Sequence, residues 1–212
     1  EDVEKYAINK GMEGGIPDHN FSPKAGDVKY RDLNGDYKID DKDVAAIGYP
    51  KYPLLTGNMS LGFSWNGLDF SMVWSGAFKT SRLVSSFYRV PFDTTNNRAL
   101  LSYMIKDAWT PEKGDSSTAP AISFGASKAN NYKDSDLWLR DASYVRLKNI
   151  ELGYSFPKQI VKKMHLGTLR LSVSGYNLLT FDDMGFCDPE SNPDGQAYPL
   201  IKVVNFGLKV GF

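Results

Sequence analysis

The sequence predicts an all-β fold, namely a segment of a large antiparallel transmembrane β-barrel with long extracellular loops. Most of its strand-like runs are about 8 to 12 residues long and alternate apolar with polar side chains, close to the ~9–11 residues of a tilted transmembrane strand. Short and long connections alternate between these runs, as they do in outer-membrane barrels. The last run ends on an aromatic residue, Phe212, and aromatic residues border the membrane in such barrels.

The first two strands, at about 57–65 and 68–78, are predicted to form a hairpin. Apolar side chains recur at every second position from Met59 to Trp65, and small or polar residues fill the alternate positions. The two runs are joined by Asn66-Gly67, a pair typical of a type I′ turn because both central residues of that turn need positive φ. This short connection is placed on the periplasmic side.

Three further strands are predicted at about 138–156, 168–178 and 200–212. The last two alternate cleanly, but the parity of the apolar positions changes near Lys148-Asn149 in the first. An inserted residue shifts every later side chain to the opposite face. The pattern therefore predicts either a β-bulge at this point or a strand that projects beyond the membrane.

The strands divide the chain into two predicted regions. Residues 1–56 are predicted to be an extracellular loop region, and residues 57–212 to be C-terminal barrel strands with extracellular loops at 79–137 and 179–199. The acidic residues of the last loop are expected to make it soluble. Five strands cannot close a barrel, for which at least ~8 are needed. Because lipid does not tolerate open sheet edges, an upstream portion of a longer protein is expected to supply the rest.

The polar side of these strands is expected to face a water-filled lumen through which a solute passes. The substrate contacts themselves are unknown, and no residue of this face is assigned as one. The expected lumen residues are Asn58, Ser60, Ser64, Asp69, Ser71, Ser75, Arg170, Ser172, Ser174, Tyr176, Asn205 and Lys209.

Composition excludes several function classes. The 25 Lys and Arg residues balance 25 Asp and Glu residues, which argues against nucleic-acid binding because that requires a basic surface. The sequence contains no nucleophile elbow, P-loop or zinc-protease motif, so no catalytic residue is assigned and the protein is not expected to be an enzyme.

One acidic segment, 32–43, has the spacing of a calcium-binding loop. Positions 1, 3, 5, 7, 9 and 12 of an EF-hand-like loop would be Asp32, Asn34, Asp36, Lys38 (through its carbonyl), Asp40 and Asp43. Ca²⁺ prefers six to eight such oxygen ligands. Two departures are Tyr37 at the position that usually holds glycine and Asp43 where glutamate is usual. The alternative interpretation is a surface turn rich in Asp and Asn that binds no metal.

Several segments of the chain together resemble one protein family. They are GDVKYRDLNGDYKIDDKDVAAIG, AWTP, SDLWLRDASYVRLKNIELGYSFPK, LRLSVSGYNLLTF, DPE, and YPL followed by NFGLKVGF. In combination they resemble the C-terminal third of the SusC/RagA-type TonB-dependent transporters of Bacteroidota. The resemblance covers nearly the whole chain from about Gly26 onward.

The resemblance implies a barrel of about 22 strands in the cell outer membrane, surrounded by outer-membrane lipid. It further implies a plug and a contact with the TonB complex through an N-terminal part missing from this chain, a partner lipoprotein of the SusD type, and import of oligosaccharides or peptides. Two alternatives stay open at this point. They are a soluble calcium-binding β-sandwich module for carbohydrate binding or adhesion, and a secreted hydrolase on a β-scaffold.

Overall fold

The computed structural model describes residues 17–93, 100–185, 187–191, 198 and 200–212. The chain forms two compact units, Glu1–Ile47 with Val84–Trp138 and Gly48–Leu83 with Leu139–Phe212. Within the described ranges, none of the helices has the length and apolar character needed to cross a membrane. The predicted boundary at residue 56 differs from this division, because most of the predicted loop 79–137 is grouped with the N-terminal segment.

Strands dominate the second unit. Seven strands lie in the described ranges: β1 (Leu55–Trp65), β2 (Leu68–Phe78), β3 (Ser81–Leu83), β4 (Leu139–Asp141), β5 (Tyr144–Ser155), β6 (Thr168–Asp182) and β7 (Val203–Gly211). Five of them form one sheet in the order β1-β2-β5-β6-β7, in which every neighbouring pair is antiparallel. The strand order follows the chain order, as in an up-and-down barrel wall.

Strand bounds follow the sequence prediction closely in the first hairpin and less closely elsewhere. The predicted strand 138–156 is corrected: β4 pairs with β3 in a separate two-stranded sheet, and β5 starts only at Tyr144. Asp136–Trp138 is a 3₁₀ turn. The next strand extends to Asp182, beyond the predicted 178, and the last is shorter than 200–212.

Helices in the described ranges are short. They are α1 (Ser86–Arg89), α2 (Ser102–Asp107) and α3 (Gly125–Asn131) in the first part of the chain, and α4 (Lys158–Lys163) between β5 and β6. Single 3₁₀ turns lie at Asp41–Asp43, Gly114–Ser116 and Asp136–Trp138. The connection through α4 is short, so β5 and β6 are antiparallel neighbours.

The core of the first unit is organised around a buried amide. The Asn131 side chain is fully buried; it accepts a hydrogen bond from the Val28 amide at 2.9 Å and donates one to Asp27 at 2.9 Å. The indole of Trp138 donates to the Asn131 carbonyl at 2.9 Å. Since buried amides are retained only when they are hydrogen-bonded, this network joins two segments that are about a hundred residues apart.

The tight turn predicted between β1 and β2 is confirmed. Asn66 and Gly67 both have positive φ, 47° and 84°, as a type I′ turn requires. The Gly67 carbonyl also accepts a hydrogen bond from the Ser155 amide at 2.7 Å. The turn is therefore held against the end of β5.

One face of the large sheet carries a continuous apolar layer. A row of directly paired side chains crosses all five strands, from Phe63 through Phe70, Leu152 and Val173 to Phe206. Directly opposite residues of an antiparallel pair lie on the same face. Phe206 is 85% exposed and Phe63 is 55% exposed, so in this chain the layer is an open surface rather than a core.

The predicted β-bulge in β5 is confirmed. Asn149 pairs with Val73, whereas Leu147 pairs with Trp74, so that Lys148 is an extra residue relative to β2. On the N-terminal side of the bulge, Leu147 lies with Trp74 on the apolar face and Arg146 lies with Ser75 on the polar face. The bulge explains why the apolar parity of the sequence changes at this point.

Candidate functional site

The polar face of the large sheet gathers the residues predicted to line a lumen. The directly paired members are Asn58 with Ser75, Ser64 with Asp69, Arg170 with Lys209, and Ser174 with Asn205. These pairs share one side of the sheet because opposite residues in antiparallel strands project in the same direction. The face is the polar counterpart of the apolar layer described above.

The first charged cluster on this face joins three strands. Arg170 of β6 forms a bidentate ion pair with Asp69 of β2, one arm of which measures 2.7 Å between Nη2 and Oδ2. The same Nη2 donates to Glu151 of β5 at 2.9 Å. Bidentate guanidinium–carboxylate pairs fix geometry more strongly than single contacts do. All three side chains are about a third exposed, so water still reaches the cluster.

The guanidinium of Arg170 can cross β5 because Gly153 has no side chain. A Cβ atom at Gly153 would lie 2.6 Å from Arg170 Cζ and 2.7 Å from Asp69 Oδ2. Both distances are shorter than real Cβ contacts. Glycine at this position therefore leaves the space in which the ion pair forms.

The second charged cluster is centred on Arg146, which is fully buried. Its Nη1 donates to Glu190 at 2.6 Å, its Nη2 donates to Asp188 at 2.7 Å, and its Nε donates to Thr180 of β6 at 3.0 Å. A buried arginine is stable only when its charge and its N–H groups are satisfied. This cluster satisfies both requirements with residues from the segment 187–191 and from β6.

Lys148, the residue of the bulge, contacts the same segment. Its ammonium group lies 2.6 Å and 2.8 Å from the two carboxylate oxygens of Glu190. Burial would raise the pKa of Glu190, but the hydrogen bonds from Lys148 and Tyr144 and the charges of Lys148 and Arg146 lower that pKa below its usual value. Glu190 is thus held as a carboxylate. Arg82 adds a hydrogen bond to the carbonyl of Ser191.

Sequence reasoning missed this second cluster. The sequence favours a solubilising role for the acidic residues of the last loop over cation binding, yet Asp188 binds Arg146 and Glu190 binds Lys148, each 42 residues away in the chain. The available signal was the parity change in β5 together with the DPE segment. Neither feature reveals by itself which charges meet, since alternation describes faces and not tertiary contacts.

The acidic segment 32–43 forms a closed loop whose carboxylates bind its own backbone. Asp32 accepts hydrogen bonds from the amides of Gly35 and Tyr37 at 2.7 and 2.8 Å. Asp43 accepts from Leu33 at 2.8 Å and from Asp40 at 2.9 Å. These backbone hydrogen bonds, from Asp40 and then Leu33, lower the pKa of the Asp43 carboxyl.

The other predicted ligands lie in the same loop. Asn34 accepts from the Asp36 amide at 2.9 Å, Asp36 accepts from the Lys38 amide at 3.0 Å, and Asp40 accepts from the Lys42 amide at 2.8 Å. Within the described part of the chain, no group of three or more His, Cys, Asp or Glu side chains is arranged to hold a metal ion. The calcium site stays a prediction, and so does the metal-free alternative.

Comparisons with known proteins give one family. The chain is 27% identical over 202 residues to TonB-dependent receptor P3 of Formosa agariphila. The aligned region covers 86% of this chain and 19% of that receptor. It is 26% identical over 184 residues to TonB-dependent receptor SusC of Bacteroides thetaiotaomicron. Here the aligned region covers 85% of this chain and 17% of that receptor. This chain is a relative of the SusC/RagA-type TonB-dependent receptors. It spans about a fifth of the length of the curated relatives it matches.

Solved structures give the same answer for the fold. The RagAB peptide importer in its open-open state matches with a TM-score of 0.64 at 21% identity, over 86% of this chain and 20% of the matched chain. The closed-closed state of the same importer matches with a TM-score of 0.62 at 22% identity, over 85% of this chain and 20% of the matched chain. No family model matches the chain. The five-stranded sheet is therefore a segment of a large antiparallel barrel, as predicted.

The similarity to these receptors bears on two further predictions. SusC and RagA are outer-membrane proteins, and the predicted outer-membrane location of this chain is confirmed. The relatives are named as receptors and importers rather than as enzymes, which fits a sequence without catalytic motifs.

Proposed function

We propose that this chain forms the C-terminal barrel wall of a TonB-dependent importer that takes oligosaccharides or peptides across the outer membrane. The apolar face of the sheet contacts lipid, and the polar face lines the lumen. A solute then passes along a surface of hydroxyl, amide and charged groups. These groups offer hydrogen bonds to a polar solute along its path.

The observation that carries the proposal is the difference between the two faces of one sheet. Phe63, Leu152 and Phe206 are all exposed on the apolar face, whereas the opposite face holds the Asp69–Arg170–Glu151 cluster. A water-soluble protein rarely leaves an apolar surface of this extent uncovered. Lipid on one side and water on the other satisfy both faces at once.

The soluble β-sandwich alternative fits this sheet less well. A sandwich would bury the inner face of each sheet against a second sheet about 10 Å away. Here the apolar row ends in Phe206, which is 85% exposed. The hydrolase alternative gains no support from the polar face, where the carboxylates of Asp69 and Glu151 are paired with Arg170.

The partners of the importer are proposals that rest on its relatives. A SusD-type surface lipoprotein would assist uptake on the extracellular side, and TonB would supply energy through a part of the protein outside this chain. One matched structure is the RagAB peptide importer, which supports peptides as a substrate class. The oligosaccharide class rests on the resemblance of the sequence to the SusC/RagA-type transporters.

Calcium binding by the loop 32–43 is also proposed. Tyr37 has φ of 61°, at the position where an EF-hand-like loop places glycine for its sharp turn. The Asp32 carboxylate closes this turn by accepting from the Tyr37 amide. The loop thus has the sharp turn that an EF-hand-like site needs, although its carboxylates already bind backbone amides.

A matched pair of substitutions tests the orientation of the sheet. Phe206→Lys places a charge on the apolar face of β7, and Asn205→Lys places the same charge on the polar face one residue away. A lysine facing lipid costs about 2–4 kcal/mol at the middle of the membrane, whereas a lumen-facing one costs little. The full-length protein with Phe206→Lys should reach the outer membrane in reduced amount, and Asn205→Lys should assemble normally. Equal assembly of both variants would contradict the proposed orientation.

A separate experiment tests import. Cells with and without the gene are grown on a mixed pool of oligosaccharides and peptides, and depletion of each component from the medium is measured. A component that is consumed only when the gene and TonB are both present identifies the substrate class. Identical depletion profiles in the two strains would refute the importer.

A further inference from the structure

We propose that Arg146 is a positioning residue which, together with Lys148, holds the segment 187–191 closed over the polar face of β5 and β6 as an ionic latch. When its carboxylates lose their partners, the segment opens. In the closed position the segment also narrows the lumen at this end, a consequence that rests on the proposed function. The latch itself rests only on contacts within the second unit.

Burial is the first argument for the latch. The Arg146 side chain is 1% exposed, and the side chains of its partners Asp188 and Glu190 are 15% and 29% exposed. Arginine retains its charge in proteins, so the guanidinium needs these carboxylates for as long as it is buried. The segment that supplies them is therefore retained over the face, and its release exposes Arg146 to water.

The segment is built to move as one piece. Asp188 binds Arg146 through one carboxylate oxygen and accepts the Glu190 amide at 2.9 Å through the other. Its carbonyl accepts from the Ser191 amide at 3.1 Å. Asp188 thus closes the turn and joins it to the sheet. The hydrogen bond from Arg82 to the Ser191 carbonyl is a second, non-ionic attachment of the same segment.

Cys187 provides a reporter for the state of the latch. It directly precedes Asp188, is half-buried, and is a free thiol. The full-length protein, with any cysteine outside this chain replaced, is purified in detergent, and the rate of Cys187 modification by a hydrophilic maleimide is measured at neutral pH. When opening is fast, such a rate follows the population of the open state.

The latch predicts a graded series of rates. Arg146→Met should raise the modification rate by about tenfold or more, since a factor of ten corresponds to a modest change in the opening equilibrium. Arg146→Lys should give an intermediate rate, because lysine retains the charge but lacks the fork that reaches two carboxylates. The control Arg89→Met breaks a pair with Asp134, which is 72% exposed, and should leave the rate unchanged.

A second variant keeps the test of the latch decisive if the first one fails to fold. If Arg146→Met does not assemble, the double variant Asp188→Asn with Glu190→Gln replaces it, because that variant removes the charges and keeps the side-chain size. A wild-type rate in the assembled Arg146→Met protein, or in the double variant, overturns the latch. The assay needs no transport, so a protein that shows the predicted rates and imports nothing would contradict the proposed function alone.

Discussion

Replacing Gly153 by alanine tests whether the space above β5 is kept free for the Arg170 ion pair. The new Cβ would lie 2.6 Å from Arg170 Cζ and 2.7 Å from Asp69 Oδ2, and the guanidinium nitrogen would be closer still. Both partners are the ends of flexible side chains. We therefore expect Arg170 to swing away and its contacts to break, while the backbone of the strand stays in place.

The magnitude follows from the exposure of the cluster. Exposed ion pairs contribute about 0.2–1 kcal/mol each, and bidentate geometry adds energy as well as geometric specificity to the Arg–carboxylate pair. The side chains of Arg170, Asp69 and Glu151 are 31%, 32% and 38% exposed, so the sum for both pairs is about 1–2 kcal/mol. Alanine regains about 0.5–1 kcal/mol over glycine within a strand. Gly153→Ala should thus be about 1–2 kcal/mol less stable than a glycine-to-alanine control without the collision.

Gly57 of β1 is that control, because a Cβ there meets nothing within 4 Å. The unfolding free energy of the full-length protein in detergent would be measured by denaturant titration for Gly153→Ala, Gly57→Ala and both changes in an Arg170→Met background. If the collision with Arg170 is the cause, the cost of Gly153→Ala disappears in that background. A cost that persists without Arg170 would refute the reasoning and indicate backbone strain instead.

Three further predictions follow from local geometry. Gly67→Ala should lower stability by more than about 1 kcal/mol, since the residue has φ of 84° and its Cβ would collide with the Ser155 carbonyl oxygen; the same titration, with Gly57→Ala as control, measures it. Calcium should raise the thermal midpoint of the protein, and Asp32→Asn should abolish that shift; no shift in the wild type favours the metal-free turn. Because the pKa of Glu190 is lowered, its contribution to the latch is complete above the usual glutamate pKa and is lost as pH falls through the lowered value. The rate at which Cys187 reacts with a disulfide reagent that works in acid should therefore rise only at acid pH. A reaction rate that does not change with pH would contradict this prediction.

The sheet was predictable from the sequence because one physical constraint acts on every strand. A strand with lipid on one side and water on the other must alternate, and this constraint gave β2 its observed bounds and gave the turn at Asn66-Gly67 its type. The bulge near Lys148 was predictable for the same reason. A parity change in an otherwise regular strand has few structural causes.

The polar networks were not predictable in the same way. Asn131 joins helix α3 to a segment about a hundred residues earlier, and nothing in its neighbouring sequence marks it as a buried amide. The partners of Arg146 are equally remote in the chain. Alternation assigns a side chain to a face, but the choice of partner on that face depends on how long connections return, which local patterns do not encode.

The bulge in β5 links the alternation of side chains, which the sequence reveals, to one of the polar networks, which it does not. With regular alternation through Lys148 and Asn149, the side chain of Arg146 would lie on the same face as Ile150 and Leu152, which face lipid. Charge in that environment costs about 2–4 kcal/mol near the membrane centre. The inserted residue moves Arg146 to the polar face, where Asp188 and Glu190 bind it. The irregularity that interrupts the apolar pattern is thus the feature that makes the latch possible, and the parity change in the sequence marks its position.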